Sequence, residues 1–130
     1  MRQSAVRGTL ALAIMVAAVP HTGATAEASL FRSAAEAKKL IPKHAVAPYK
    51  KDQWPNLFAR YPEQRIRTEL QHLRERAALA AAEDPSCDMV SNADYAPSQS
   101  TPSKFAVYAD CQNGYRVRIR TDGVIQRGAR

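Results

Sequence analysis

The sequence predicts a small α+β domain, an amphipathic helix packed on a two- or three-stranded antiparallel sheet with one disulfide. Three observations carry that expectation. Residues 104–111 and 115–120 alternate apolar and polar side chains on either side of Asn113-Gly114. Residues 62–84 repeat apolar side chains at Ile66, Leu70, Leu73 and Ala77, one face of a helix. The chain's only 2 cysteines, Cys87 and Cys111, fall between helix and hairpin and inside the hairpin's first strand.

The first 26 residues read as a separate segment. Arg2 and Arg7 form a short basic start before an apolar run that is unbroken over 10–19, and residues 20–26 end in Ala24-Thr25-Ala26. That is the pattern of a secretory signal peptide cut before Glu27. The run is too short for the ~20 residues a spanning helix needs, and no cysteine near the cut could carry a lipid. The expected mature protein is therefore exported, periplasmic or secreted, with no transmembrane segment. It keeps 104 of the 130 residues, and its net charge falls from +7 to +5 as Arg2 and Arg7 leave. Such a chain supports one small core. Its charge suits acidic surfaces such as anionic lipid headgroups, polysaccharides or nucleic acid, selects none of them, and is also ordinary for solubility.

Export sets the cysteine chemistry. In an oxidising compartment a Cys87–Cys111 disulfide is expected ahead of free thiols or a metal pair. It closes a loop of about 25 residues, for roughly 3 to 4 kcal/mol in the chain-entropy description.

Residues 27–61 divide into a first helix and a Pro-rich connector. Over 29–41, Ser29 offers an N-cap, Leu30, Ala34, Ala37 and Ile41 recur at helical spacing, and Pro42 stops the run; the same residues also suit a loose arm. Pro42, Pro48, Pro55 and Pro62 then interrupt a mixture of Lys43, His44, Tyr49, Lys50, Lys51 and Trp54, which excludes a long helix. Such a stretch either pins a connector onto the domain through its aromatics or presents them to a partner. Residues 62–130 form the helix and the disulfide-linked hairpin. Pro62 suits the first helical position and Pro85 ends the helix. Glu63 and Arg67 make an i,i+4 pair, and Arg65, Arg74 and Arg76 alternate with Glu69 and Glu75 on the side assigned to solvent.

Residues 87–90 read as a short strand or an anchor, and 91–103, rich in Ser, Asn, Pro and Thr, as a surface loop. The hairpin register follows from matching faces. A two-residue Asn113-Gly114 loop sets Val107, Ala109 and Cys111 opposite Arg120, Arg118 and Arg116, mixing core and solvent positions. A three-residue loop with Gly114 left-handed pairs Cys111 with Tyr115, Ala109 with Val117 and Val107 with Ile119. The other face then sets Asp110 opposite Arg116, Tyr108 opposite Arg118 and Ala106 opposite Arg120, a charge pair and a cation-aromatic contact. Thr121-Asp122-Gly123 makes another turn, returning 124–125 as a third strand, and 126–130 is expected to fray.

Cys87-Asp88-Met89-Val90 followed by Asp110-Cys111-Gln112-Asn113-Gly114-Tyr115-Arg116 resembles a pattern of small exported bacterial proteins of no assigned function, across 87–117. Those proteins tend to carry an aromatic where Val117 stands here. The resemblance implies a cysteine-paired β module and no enzymatic activity.

No catalytic constellation is visible in the mature sequence. His72 has Glu69 and Glu75 three residues to either side, but one Glu-x-x-His copy falls short of a carboxylate-bridged metal site, and an exposed helix histidine explains it as well. No nucleophile elbow, phosphate loop, metal-finger spacing or repeat is found, so neither cofactor nor metal is expected. The candidate contact site is the arginine row Arg116, Arg118 and Arg120, flanked by Tyr108 and Lys104. Its guanidinium groups stand about 7 Å apart at ~3.4 Å of rise per residue, a spacing that grips successive phosphates or carboxylates. Such a row also guards an edge strand against aggregation. The function expected is thus a non-enzymatic interaction module of the cell envelope, its partner an unidentified protein or anionic envelope component and no specific nucleic acid. The alternative is an inhibitor or accessory subunit of an exported enzyme, acting through 91–103 or 49–54.

Overall fold

Alternating side chains at the C-terminal end build a four-stranded antiparallel meander. In a computed structural model that describes residues 30–130, the strands are β1 (Val90–Tyr95), β2 (Ala106–Cys111), β3 (Tyr115–Arg120) and β4 (Gly123–Ala129), in that spatial order. The signal-peptide reading of 1–26 and the Ser29 cap lie outside the described residues.

The sheet is larger than the two or three strands expected. Val90–Tyr95, expected in part as loop, pairs with β2, and its polar Asn92 and Asp94 alternate with buried Ala93 and Tyr95. The strand was hidden by its Ser, Asn and Asp, which are turn formers in isolation and here line one wet face. Residues 126–129, expected to fray, continue β4 as far as Ala129, opposite Tyr115. The hairpin register is the one that face matching selects, with Val107 on Ile119, Ala109 on Val117 and Asp110 on Arg116. Gly114 sits at φ +90° with nothing within 4 Å of where a Cβ would stand. Glycine is therefore required there by backbone conformation and not by space.

Among the described residues three α-helices precede the sheet. The first, α1, is only Ala34–Lys38, and Ser33 caps it through a reciprocal box with Glu36. The expected 29–41 helix is shorter because this box fixes its start and Pro42 already leads a 3-10 turn, Lys43–Val46. In the connector, Pro55–Arg60 forms α2, and Tyr49, Leu57 and Tyr61 are buried, so its aromatics pin it onto the domain. The long helix, α3, runs without a break over 63–83, with a π-helical stretch at Ile66–Leu70. Pro62 is its N-cap residue and Glu63 its first helical one, one position later than expected.

Packing of α3 on the sheet uses small side chains. Ala77, Ala78, Ala81 and Ala82 share one core with Ala93 and Ala109 of the sheet, all fully buried. Alanines let helix and sheet approach closely, and larger groups fill the ends: Ile66, Leu70, Phe105 and Val107 at one, Cys87, Cys111 and Val117 at the other. Cys87 and Cys111 are joined, Cα to Cα 5.6 Å, tying the helix exit to the end of β2. Arg32 reinforces this junction by donating to the carbonyls of Ala82, Asp84 and Cys87 over 3.0, 2.8 and 2.8 Å. A cation satisfying carbonyls at a helix C-terminus also complements the helix dipole.

The free edge of β1 is closed by tertiary bonds. Val90 N donates to the Leu40 carbonyl (3.0 Å), Tyr95 N to Tyr49 Oη (2.8 Å), and Arg74 Nε to the Ala93 carbonyl (2.6 Å). Arg74 is thus buried, 3% exposed, and does not belong to the solvated face to which its spacing assigned it. It also donates to the Ala47 carbonyl (2.8 Å) and stacks over Tyr49 at 3.9 Å, joining helix, connector and sheet.

Candidate functional site: the open face of the sheet

Because α3 covers one face, the side chains of opposite parity are left on the other. Asn92 and Asp94 of β1, Tyr108 and Asp110 of β2, Arg116, Arg118 and Arg120 of β3 and Gln126 of β4 lie there by strand alternation and register. The arginine row expected from the sequence is real, but its members differ in how much charge they offer.

Arg116 is committed to the protein. Its guanidinium meets Asp110 with two donors, Nη2 to Oδ2 at 2.7 Å, and lies over the Tyr108 ring at 4.2 Å. The Asp110 hydrogen bonds hold the Arg116 pKa above its ordinary value. Burial, with Asp94 and Asp110 nearby, raises the Tyr108 hydroxyl against the pull of Arg116, so Tyr108 stays a neutral donor at physiological pH. Arg116, diagonal to Tyr108, therefore makes the cation-aromatic contact that sequence matching gave to the directly opposite Arg118. The carboxylate of Asp110 draws its guanidinium across the strand.

Arg120 lies 3.4 Å from Asp122, and Arg130 lies 3.6 Å from Asp110. Arg118 is different: it donates to the amide oxygen of Gln126, a neutral partner, and among the described residues it has no carboxylate within ion-pair distance. Its charge is the uncompensated one at the centre of the face. Lys104, expected on the first strand, falls in the loop before β2, where its backbone closes a turn with Thr101 (2.8 and 3.3 Å). It is exposed at the margin of the face and is not part of the ladder. Asn113 and Gly114 have the structural role expected. Asn113 Nδ2 donates to the Ser86 carbonyl (2.7 Å) and its backbone N to Asp88 (3.0 Å), tying the turn to the helix exit.

Asn92, Asp94, Asp122, Gln126 and Arg130 were missed as members of this surface. The period-two pattern of 90–95 could have found Asn92 and Asp94; no local signal placed Gln126 or Arg130, whose positions follow from the length of β4.

The other sequence candidates come apart. Glu69 pairs with Arg65 (2.9 Å) and Glu75 accepts from Gln71 (3.2 Å), so neither carboxylate is hydrogen-bonded to His72. Among the described residues no three His, Cys, Asp or Glu side chains are grouped as a metal site would need. The expected 91–103 loop shrinks to 96–105, and it is anchored: Tyr61 donates to the Thr101 carbonyl (3.3 Å), Arg65 to that of Pro102 (2.8 Å). Among the described residues no helix is long and apolar enough to cross a membrane.

These features define a disulfide-locked α+β domain with one helix-covered and one open sheet face. No protein family, curated protein or solved structure matches this chain.

Proposed function

We propose that the protein is a small exported interaction module, periplasmic or secreted, that holds an acidic partner of the cell envelope on the open sheet face and catalyses no reaction. The observation that carries this reading is the uncompensated Arg118, set between the Tyr108–Arg116 stack and Gln126 on the sheet face opposite α3. The face is preorganised, since Arg116, Asp110 and Tyr108 are already fixed against one another. A partner carboxylate, sulfate or phosphate meets Arg118 and displaces only a neutral glutamine contact, whereas at Arg116 or Arg120 it competes with an aspartate. Export is supported by the basic start and apolar run of the first 26 residues and by the buried Cys87–Cys111 bond.

The Arg116–Asp110 ion pair decides which variants are informative. Replacing Arg116 disrupts the fold's own ion pair, so Arg118→Glu with Arg120→Glu is the informative change, and Arg67→Glu with Arg76→Glu on α3 is the charge-matched control. Retention on a heparin column should fall steeply for the first pair and follow net charge alone for the second. Equal losses in the two pairs would show general electrostatic attraction and no site on this face.

A further inference from the structure

On the opposite side of the molecule α3 carries a second surface that the sheet face does not explain. Two shallow depressions flank its outer side, of about 400 and 210 Å³, and both are lined by Arg76 and Leu79. The larger has Ile41, Val46 and Ala78 as its apolar lining, and the smaller adds Ala80, Ile119 and Val124, which is 50% exposed. Together they form one apolar surface across the helix, with Lys38 beside the larger depression and Arg76 shared between the two.

We propose that this surface binds an amphiphilic anion, an apolar chain lying over Val46, Leu79 and Val124 with its carboxylate held by Lys38 and Arg76. Charge complementarity selects the ligand class. Arg65, Arg67 and Arg74 of the same helix all have a carboxylate within 4 Å, while Lys38 and Arg76 have none among the described residues. Two exposed cations outside any ion pair among the described residues, against the single Glu75 in an otherwise apolar hollow, are matched by a molecule that brings one negative head and a hydrocarbon body. The acidic groups on the rim orient it. Glu75 shares the larger depression with Lys38 and Arg76 and leaves it net positive, while in the smaller one Glu83 balances Arg76, so the head sits at Lys38 and Arg76 and the tail runs over Leu79 toward Val124. The volumes, about 400 and 210 Å³, have room for a single acyl chain.

The test is a methyl and amide NMR titration of the full exported chain with sodium decanoate, kept below its micelle concentration. Saturable shifts are expected at Val46, Leu79 and Val124, with the open-sheet residues Tyr108 and Arg118 unmoved. Lys38→Glu with Arg76→Glu should weaken binding about tenfold or more, and decyltrimethylammonium should give no saturable shift. Both cations are exposed and, among the described residues, in no ion pair, so this variant should keep the native spectrum; if it does not, Lys38→Gln with Arg76→Gln is read instead. Absence of saturable shifts overturns the proposal. So does equal binding of the cationic amphiphile, or an unchanged affinity in the folded charge variant.

Discussion

Replacing Arg74 by alanine should be among the most damaging single changes in the chain, although its sequence position suggests a solvated helix face. The guanidinium satisfies the Ala93 carbonyl at 2.6 Å, in a residue that is fully buried, and the Ala47 carbonyl at 2.8 Å in an exposed one. Leaving a buried carbonyl unpartnered costs about 1–3 kcal/mol. The aliphatic stem adds roughly 0.8 kcal/mol for each buried methylene lost. Water can replace the Ala47 bond, so the total is about 3 kcal/mol, a large share of the 5–15 kcal/mol typical of domains. For a domain this small that corresponds to a fall in Tm of about 12 °C or more. Arg74→Met keeps the stem and should lose about 2 kcal/mol; Arg74→Lys, with one compact donor group, cannot reach both carbonyls and should fall between wild type and Met. Urea denaturation gives the energies, and hydrogen exchange gives the location: the Tyr95 amide, bonded to Tyr49 Oη, should exchange faster in every variant because Tyr49 loses the group stacked on it. An Arg74→Ala protein within about 1 kcal/mol of wild type would refute the reasoning, showing that the connector and the β1 edge hold without this clamp.

Reducing the disulfide, or replacing both cysteines by alanine, should lower stability by roughly 3 to 4 kcal/mol for its loop of about 25 residues, a fall of about 2 M in urea midpoint; a change below 0.5 M would contradict it. Gly114→Val should cost about 1–3 kcal/mol through left-handed strain alone, with Gly114→Asn much milder, and equal effects of the two would place the strain elsewhere. Acid stability should depend on Asp84. Burial opposes its charge, but hydrogen bonds from Tyr115 Oη (2.6 Å) and Ser86 N (2.9 Å), with Arg127 nearby, leave its pKa below the ordinary carboxylate value. A depressed native pKa contributes stability that is present above the unfolded value near ~4 and is lost as pH falls through the native one. Tyr115→Phe should therefore flatten the loss of stability below about pH 4, measured by urea titration from pH 2 to 7; an unaltered slope would remove Asp84 from the acid transition.

How far the sequence carried these conclusions depended on whether the deciding interaction was local. The hairpin was legible to the residue, because a period of two and a single Asn113-Gly114 turn leave one register that buries Val107, Ala109, Val117 and Ile119 together. The cysteine bridge followed from the small number of cysteines. Strand β1 was legible only as a faint period-two alternation over 90–95, because Ser91, Asn92 and Asp94 carry turn propensity and become strand only once β2 offers a ladder. Arg74 was misplaced for a related reason: charge argues for exposure, and nothing nearby in sequence announces carbonyls that arrive from 27 and 19 residues away. The arginine row was visible as a pattern, but its inequality was not. Whether Arg116, Arg118 or Arg120 is free depends on Asp110, Gln126 and Asp122, of which only Asp110 was paired in the reading of the hairpin.

The open sheet face is tested most directly by mapping amide shifts of the protein during titration with a short heparin fragment at physiological salt. Changes should centre on Tyr108, Arg118 and Gln126 and vanish in Arg118→Glu, while the α3 surface around Leu79 stays silent. Shifts spread over every exposed cation, or surviving intact in Arg118→Glu, would show that the protein's positive charge attracts polyanions without a site.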